Sequence, residues 1–406
     1  MDFAPSPLAA DLHAKVADFV ATEIAPVESE YLHTLHGLDD PWVVLPVVEE
    51  LKKKARAAGL WNFFLPRSYA GEWAGLSNVD YAPLAELMGR HIIAPEVFNC
   101  NAPDTGNAEV LIHYGSDEQR ERWLTPLLAG EMRSAFCMTE PGVASSDATN
   151  MAATAVPDGD DVVITGRKWF SSGIGHPHCG FVIFMGLTDP DAQRHARHSM
   201  VIVPKDHPRL RVERMLPVFG YLDPPYGHGE VLFDAVRVPK ENVIAGLGRG
   251  FEIAQGRLGP GRIHHCMRTI GLAERALEDG LRRATSRTAF GKPLANLGGN
   301  RERIAKARIA INQARLHVLY TAWLLDTQGA AGALSELSQI KAAVPAMAQE
   351  IIDFAIQLHG AAGVTDDYPL AAAAAWARAL RLADGPDEVH LGVVSRFELA
   401  PYQELA

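Results

Sequence analysis

Over the first ~130 positions, apolar residues recur every three to four places, the spacing that lines one face of an α-helix. Leu8, Leu12, Val16, Phe19 and Val20 form such a stripe, and Ser6-Pro7 ahead of it supplies an N-cap and a proline at the first helical position. A polar helix is predicted around 117–129, ending at Gly130. The pattern changes from Ala135 to Val238, where Val, Ile, Thr and Phe dominate and turn residues follow at short intervals. Thr154-Ala155-Val156, the Pro157-Asp158-Gly159-Asp160 turn and Val162-Val163-Ile164-Thr165 predict a hairpin, while the apolar runs 181–184 and 200–203 predict buried strands. After Pro239 helical spacing returns. It predicts helices over 250–286, 300–328, 334–359, 369–383 and 387–398, joined by short loops as in an antiparallel bundle. The chain is α+β, with a helical domain at 1–132, a small β domain at 133–245 and a helical bundle at 246–406.

Composition narrows the function. A chain of 406 residues exceeds the usual span of one hydrophobic core and calls for two or three packed domains. Its 48% hydrophobic and 21% charged content fits a globular enzyme rather than a disordered chain. A net charge of −11 without a long basic run argues against nucleic acid or an anionic membrane as the main partner, and leaves room for a local basic pocket. Cys100, Cys137, Cys179 and Cys266 are widely spaced with no C-x-x-C pair, which suits free thiols in a reducing cytoplasm. No apolar run approaches the ~20 residues that span a bilayer, and Met1–Pro7 lacks the start of a signal peptide. A soluble cytoplasmic protein is expected.

Several clusters carry candidate chemistry, each beside a plainer explanation. Gly246-Leu247-Gly248-Arg249-Gly250 lacks the dinucleotide-loop spacing and lies outside a βαβ unit, so a turn into the next helix explains it better. His176-Pro177-His178-Cys179 lies among loop residues beside a strand, and His264-His265-Cys266, if helical, points adjacent residues in diverging directions; no metal is expected. The loop Thr139–Asp147 is either capped by its own hydroxyls and acids or cradles a planar, hydrogen-bonding ligand. Trp169-Phe170-Ser171-Ser172-Gly173 offers it an aromatic wall and a hydroxyl. Ala383-Asp384-Gly385-Pro386-Asp387-Glu388 breaks the Ala-rich helix with an acid beside helix-end backbone groups. It reads as a turn with two N-capping acids, or as a turn that presents Asp384 as a catalytic base.

Five ordered segments resemble the acyl-CoA dehydrogenase family over nearly the whole chain: Phe136–Gly142, Ile164–Gly173, Val238–Ile244, Arg287–Lys292 and Gln357–Gly363. The resemblance implies a helix–barrel–helix subunit: an N-terminal helical domain, a central small β-barrel and a C-terminal antiparallel four-helix-type bundle. FAD would lie extended between barrel and bundle, with the Arg287 motif against the FAD of a neighbouring subunit in a homodimer or homotetramer. By motif, Phe136, Met138, Thr139 and Ser145 would line flavin or thioester, and Trp169 and Ser171 would flank the isoalloxazine. Arg287, Phe290, Leu294, Gln357 and Gly360 would hold pyrophosphate and adenosine, and a guanidinium suits pyrophosphate because its fork donates two parallel charge-assisted bonds. Ser145, Arg262 and Arg396 would meet the substrate.

The implied reaction is α,β-dehydrogenation of an acyl-CoA, with electrons passed to electron-transfer flavoprotein. The family's base is usually a Glu at the position of Asp384, and some branches carry it instead just before the Arg matching Arg262. That second position is Gly261, so the resemblance assigns the base to Asp384, with a pKa raised once substrate excludes water. Pro386 and Gly298 depart from the family's Thr and Gln. The Asp-Gly-Pro string looks most like the branch fused in eukaryotes to a kinase-like domain. A flavin oxidase of the same superfamily, using an Asp base on nitroalkanes, is the alternative, and a nucleic-acid-associated flavoprotein would need a basic face that this charge does not suggest.

Overall fold

In the computed structural model, residues 2–69 and 75–403 are described, with 258–260 and 403 by backbone alone. The N-terminal third is helical: α1 (Pro7–Phe19), α2 (Ala25–His36), α3 (Pro46–Ala57), α4 (Asn78–Gly89), α5 (Ala94–Val97), α6 (Asp104–Tyr114), α7 (Asp117–Gln119) and α8 (Thr125–Leu128). The Ser6 hydroxyl accepts from the Ala9 amide and Pro7 opens α1, as the N-cap pattern predicts. The predicted helix at 117–129 is one run interrupted by a π-turn at Arg120–Leu124, a local widening of the helix that leaves no periodic signature in the sequence.

Strands β1 (Arg133–Cys137), β2 (Thr154–Asp158), β3 (Asp161–Ser172), β4 (Cys179–Leu187), β5 (His198–Pro204), β6 (Leu210–Met215) and β7 (His228–Pro239) form one curled sheet. Its order is β1-β4-β2-β3-β7-β6, with β5 on β4. The predicted hairpin is β2–β3, with Thr154 opposite Thr165. Strands β4 and β5 read as continuous apolar runs because both their faces are covered. Val182, Phe184, Val201 and Val203 face the sheet's own core with Phe233 and Val238. The alternate residues Phe181, Ile183, Met185, Met200 and Ile202 join the core of the helices.

The last third holds α9 (Gly250–Ser286), a small hairpin of β8 (Thr288–Ala289) and β9 (Lys292–Pro293), α10 (Asn300–Gly332), α11 (Leu334–His359), α12 (Leu370–Leu380) and α13 (Asp387–Gln403). Helix α11 packs against α9, α10, α12 and α13, and α4 packs against α9 and α10. At the α4–α9 crossing Gly89 lies against the main chain of Arg268 and Gly271 against that of Glu86, so a Cβ at either would meet backbone within 1.9 Å. That close approach fixes α9 along its length. No helix among the described residues is long and apolar enough to cross a membrane.

The sheet is tied to the helices by a buried charge network. The Arg133 guanidinium, 1% exposed, donates to Glu96 and Asn99 and lies 3.4 Å from Asp104. Glu96 also receives the Tyr226 hydroxyl and stands 3.2 Å from Lys52. Burial pushes the Glu96 carboxyl up, but Arg133 and Lys52 outweigh it and hold it down at about 2, whereas burial prevails at Asp104 and pushes it up to about 6. Glu96 is therefore the carboxylate that stays ionised beside Arg133 into acid, joined by Asp104 above about 6. Removing one member of such a set leaves an uncompensated buried charge. Glu96→Gln is expected to lower the unfolding free energy by about 3–5 kcal/mol at neutral pH. The gap from the parent should be full above the ordinary carboxylate range and close as pH falls toward about 2, since Glu96 binds its proton only there. Urea unfolding of both proteins at pH 7 and pH 3 checks the size and the sign.

Candidate active site

The break after α12 is built by its own polar groups. The helix ends at Leu380, whose carbonyl accepts from the buried Lys341 Nζ of α11 at 2.6 Å. Arg381 then bonds Asp387 through Nε at 2.7 Å and Gln349 at 3.0 Å, while the Asp387 amide returns to the Arg381 carbonyl at 3.2 Å. Asp387 thus closes the turn as an ion-pair partner. Between these ends Asp384 takes φ +54° and Gly385 φ +105°. Only glycine suits position 385, where a Cβ would also come within 2.9 Å of His390 Nε2. The predicted helix 369–383 therefore stops three residues early.

The backbone of Asp384 is anchored from two helices. Its carbonyl accepts from Arg262 Nε of α9 at 3.2 Å and from His390 Nε2 of α13 at 3.2 Å. Its carboxylate, with the side chain 21% exposed, faces α9: Oδ2 is 3.5 Å from His265 Nε2. A Cβ placed on Gly261 would be 3.9 Å from the same Oδ2. Burial pushes the Asp384 carboxyl up, but His265 and the charges of Arg257, Lys341 and Arg262 outweigh it, and its pKa lies below the ordinary carboxylate value. The expectation of a raised pKa concerned the substrate-bound site; in the free chain the shift runs the other way.

Arg257 links this acid to the sheet. Its guanidinium sits 3.8 Å over the Phe136 ring of β1 and donates to Asn107 of α6 at 3.2 Å. Nearby on α6, buried Glu109 is pushed up to about 8 by burial, against the Arg257 charge. Residues 257, 261, 265 and 268 share one face of α9 at i, i+4 and i+3 steps. That spacing was the available signal for Arg257 and His265, which sequence reasoning missed.

The polar loop after β1 is pinned to β3 by a pair that the sequence did not single out. Buried Lys168 donates to the Met138 carbonyl at 2.8 Å and to Glu140 Oε1 at 2.7 Å. Glu140 also accepts from the amides of Ala152 and Ala153 at 2.9 and 3.0 Å. The Trp169 amide donates to the Thr139 carbonyl at 2.7 Å. Ser145 spends its hydroxyl on this loop, accepting from the Glu140 amide at 2.9 Å. The register of β3 on β7 slips between Lys168 and Ser171, with Phe170 at φ +50°. Such a bulge re-aims the side chains at Trp169 and Phe170. Ser171 is fully buried. The Trp169 indole N–H is buried with no protein partner, a donor that a planar heteroaromatic ligand satisfies. Together with the half-buried Phe136, Met138 and Thr139, these groups fit a flavin.

A second cluster lies at the other end of α9. Leu294 packs with Ala284, Phe354 and Leu358, which brings the hairpin after Arg287 to the end of α11 that carries Gln357 and Gly360. Arg287, Gln357 and Gly360 are exposed, and Phe290 is 95% exposed. Arg396, on α13, is also exposed. Arg262 and Arg287 are 25 positions apart along and just past α9, about 38 Å at the helical rise, so the two clusters do not meet within one chain. Among the described residues no group of His, Cys, Asp and Glu is placed to hold a metal ion. His264 stacks edge-on to Tyr81 while His265 turns to Asp384, the divergence that adjacent helical positions impose.

Comparison with known proteins gives the same frame. The chain matches the acyl-CoA dehydrogenase N-terminal domain over residues 7–131, the middle domain over 135–236 and the C-terminal domain over 248–399. It is 54% identical over 397 residues to acyl-CoA dehydrogenase family member 10 of Mus musculus, a match over 97% of this chain and 37% of that protein. The chain thus spans little more than a third of the mouse relative. With the probable acyl-CoA dehydrogenase FadE2 of Mycobacterium tuberculosis it is 49% identical over 403 residues, covering 98% of this chain and 97% of the relative. A solved structure from Mycobacterium abscessus, itself assigned as an acyl-CoA dehydrogenase, superposes with a TM-score of 0.96 at 65% identity, covering 98% of this chain and all of that one. The three domain matches run in order along almost the whole chain, which belongs to the acyl-CoA dehydrogenase family of FAD-dependent oxidoreductases.

Proposed function

We propose that the chain oxidises an acyl-CoA thioester to the trans-2-enoyl-CoA, with Asp384 as the base that takes the α-proton. The observation that carries this reading is that a side chain at position 261 would start beside Asp384, its Cβ 3.9 Å from Oδ2. The two positions from which the family draws its base converge on one point, and only Asp384 places an acid there. FAD, when bound, supplies the acceptor of the β-hydrogen and its electron pair. The protein's share is to hold the α-carbon against the Asp384 carboxylate, exclude water and offer the Asp384 amide to the developing enolate oxygen.

Phe136, Met138 and Thr139, with Ser145, line the flavin and thioester in this reading, and Trp169 and Ser171 flank the isoalloxazine. Arg262 and Arg396 meet the substrate. Arg287, Phe290, Leu294, Gln357 and Gly360 lie too far along α9 from Asp384 to serve the same FAD. They hold the pyrophosphate and adenosine of a neighbouring copy, in a homodimer or homotetramer. An aromatic ring as exposed as Phe290 is the kind of group such a contact covers. Electron-transfer flavoprotein is the proposed acceptor, and the four buried free thiols suit a cytoplasmic setting.

Anaerobic addition of butyryl-, octanoyl- or palmitoyl-CoA should bleach the flavin of the intact enzyme. Asp384→Asn should slow this by ~10²–10⁴-fold with FAD still bound. No bleaching at any chain length, with oxygen uptake on nitroalkanes instead, would transfer the assignment to a flavin oxidase. A second outcome follows from the convergence of the two base positions. Gly261→Glu in the Asp384→Asn background should restore part of the flavin reduction, because the new carboxylate starts beside the lost one. A double variant no faster than Asp384→Asn alone contradicts that shared placement.

A further inference from the structure

We propose that His265 is a positioning residue for Asp384: a neutral imidazole, locked in one tautomer by Arg268, that turns its Nε2–H toward the carboxylate. The inference rests on the reading of Asp384 as the base and names a residue which that reading does not require.

The tautomer follows from the donor inventory. Arg268 Nη2 lies 3.3 Å from His265 Nδ1, and a guanidinium has only N–H donors to offer. Nδ1 must therefore accept, and the proton of the neutral ring is on Nε2. Nε2 is the atom that faces Asp384 Oδ2 at 3.5 Å, a contact rather than a formed hydrogen bond in the free chain, and catalytic contacts of this kind tighten in substrate complexes. Arg268 is itself held: it is buried, its Nη1 reaches the Cys100 carbonyl at 3.4 Å, and its main chain is pressed against Gly89 at the α4–α9 crossing. The Trp376 ring flanks the imidazole with centroids 6.3 Å apart.

The surroundings keep this ring uncharged. Burial, then the Arg268 charge, push its pKa down to about 3, against the pull of Asp384. Other charged or titratable groups facing the pair are Arg257 and Arg262 from α9, Lys341 from α11 and His390 from α13, with His264 and Cys266 beside the ring. All the permanent charges among them are positive. His265 therefore acts on Asp384 as a directional donor rather than as one more charge.

Two consequences follow for the proton. With Oδ2 facing the imidazole N–H, the substrate's α-proton is received on Oδ1. It then stays there, because His265 Nδ1 is occupied by a donor that cannot accept a proton and so ends any relay. The reaction balances without a third group: the α C–H bond breaks, its electrons form the new double bond as the β-hydrogen leaves with its pair, and Asp384 ends neutral. The acid must release that proton to solvent after product has left and before the next substrate is oxidised, which closes the cycle.

The test uses the FAD-loaded enzyme mixed anaerobically with whichever of butyryl-, octanoyl- and palmitoyl-CoA reduces it fastest, across pH. The rate of flavin reduction rises as the base deprotonates. In His265→Leu this limb should move up by about one to two pH units, the shift that loss of one hydrogen bond to a charged acceptor produces, with the flavin spectrum unchanged. His265→Gln, which restores an N–H donor, should bring the limb back toward the parent. A limb unmoved in His265→Leu overturns the role of His265 while leaving Asp384 as the base. Full flavin reduction in Asp384→Asn would instead overturn the reading beneath it. If both His265 variants lose FAD, ring ¹⁵N shifts of His265 in the unmodified holoenzyme decide: a proton on Nε2 alone supports the proposal, and one on Nδ1 or a charged ring overturns it.

Discussion

The contact between α9 and the turn that joins α12 to α13 is the constraint from which the rest of the site follows. Helix α9 offers Arg262 to the Asp384 carbonyl and His265 to its carboxylate, and carries no side chain at Gly261, where a Cβ would face the same carboxylate. A residue at φ +54° next to a glycine at φ +105° does not hold its direction unaided. The bonds from Arg262 and His390, with the Arg381–Asp387 pair across the turn, supply that rigidity. Helix α9 can serve in this way because its own position is fixed where backbone meets backbone at Gly89 and Gly271.

Electrostatics give the site its character. The protein carries a net charge of −11, yet Asp384 stands among Arg257, Arg262 and Lys341. In the free chain these hold it as a carboxylate well into acid, which ensures the form that accepts a proton. They also weaken it as a base. A substrate that fills the space and drives out water strengthens burial's opposing effect, so in the proposed reaction the same residue gains basicity when an α-proton lies beside it. Asp is one methylene shorter than Glu, so the α-carbon must come closer to this turn than to a Glu at the same position.

Much of the fold was legible because its elements obey simple periods. Helices predicted at 250–286 and 334–359 match the structure to the residue, and the β2–β3 hairpin lies where the Pro157–Asp160 turn signal put it. What was missed has causes without periodic trace: the π-turn at Arg120–Leu124, and the early end of α12, where Lys341 and Gln349 act from outside the segment. The site divides in the same way. Asp384 announced itself as an acid at a helix break. His265 looked only like half of an unpromising His-His pair, since its meaning comes from a turn 119 positions away. Lys341 carried no signal in the sequence, since its role comes from the end of α12, 39 positions away. Arg287, Phe290 and Gln357 are exposed, and a use for them comes from the family resemblance and the proposed neighbouring copy rather than from any pattern in the chain.

The central claim is that Asp384 removes the α-proton of a bound thioester. Its most direct measure is exchange of α-hydrogen with solvent deuterium in an acyl-CoA bound to the FAD-loaded enzyme, followed by mass spectrometry of the recovered thioester. The account requires α-deuterium to appear with the parent enzyme and to be lost in Asp384→Asn at equal FAD occupancy. Equal exchange by the two proteins would contradict it.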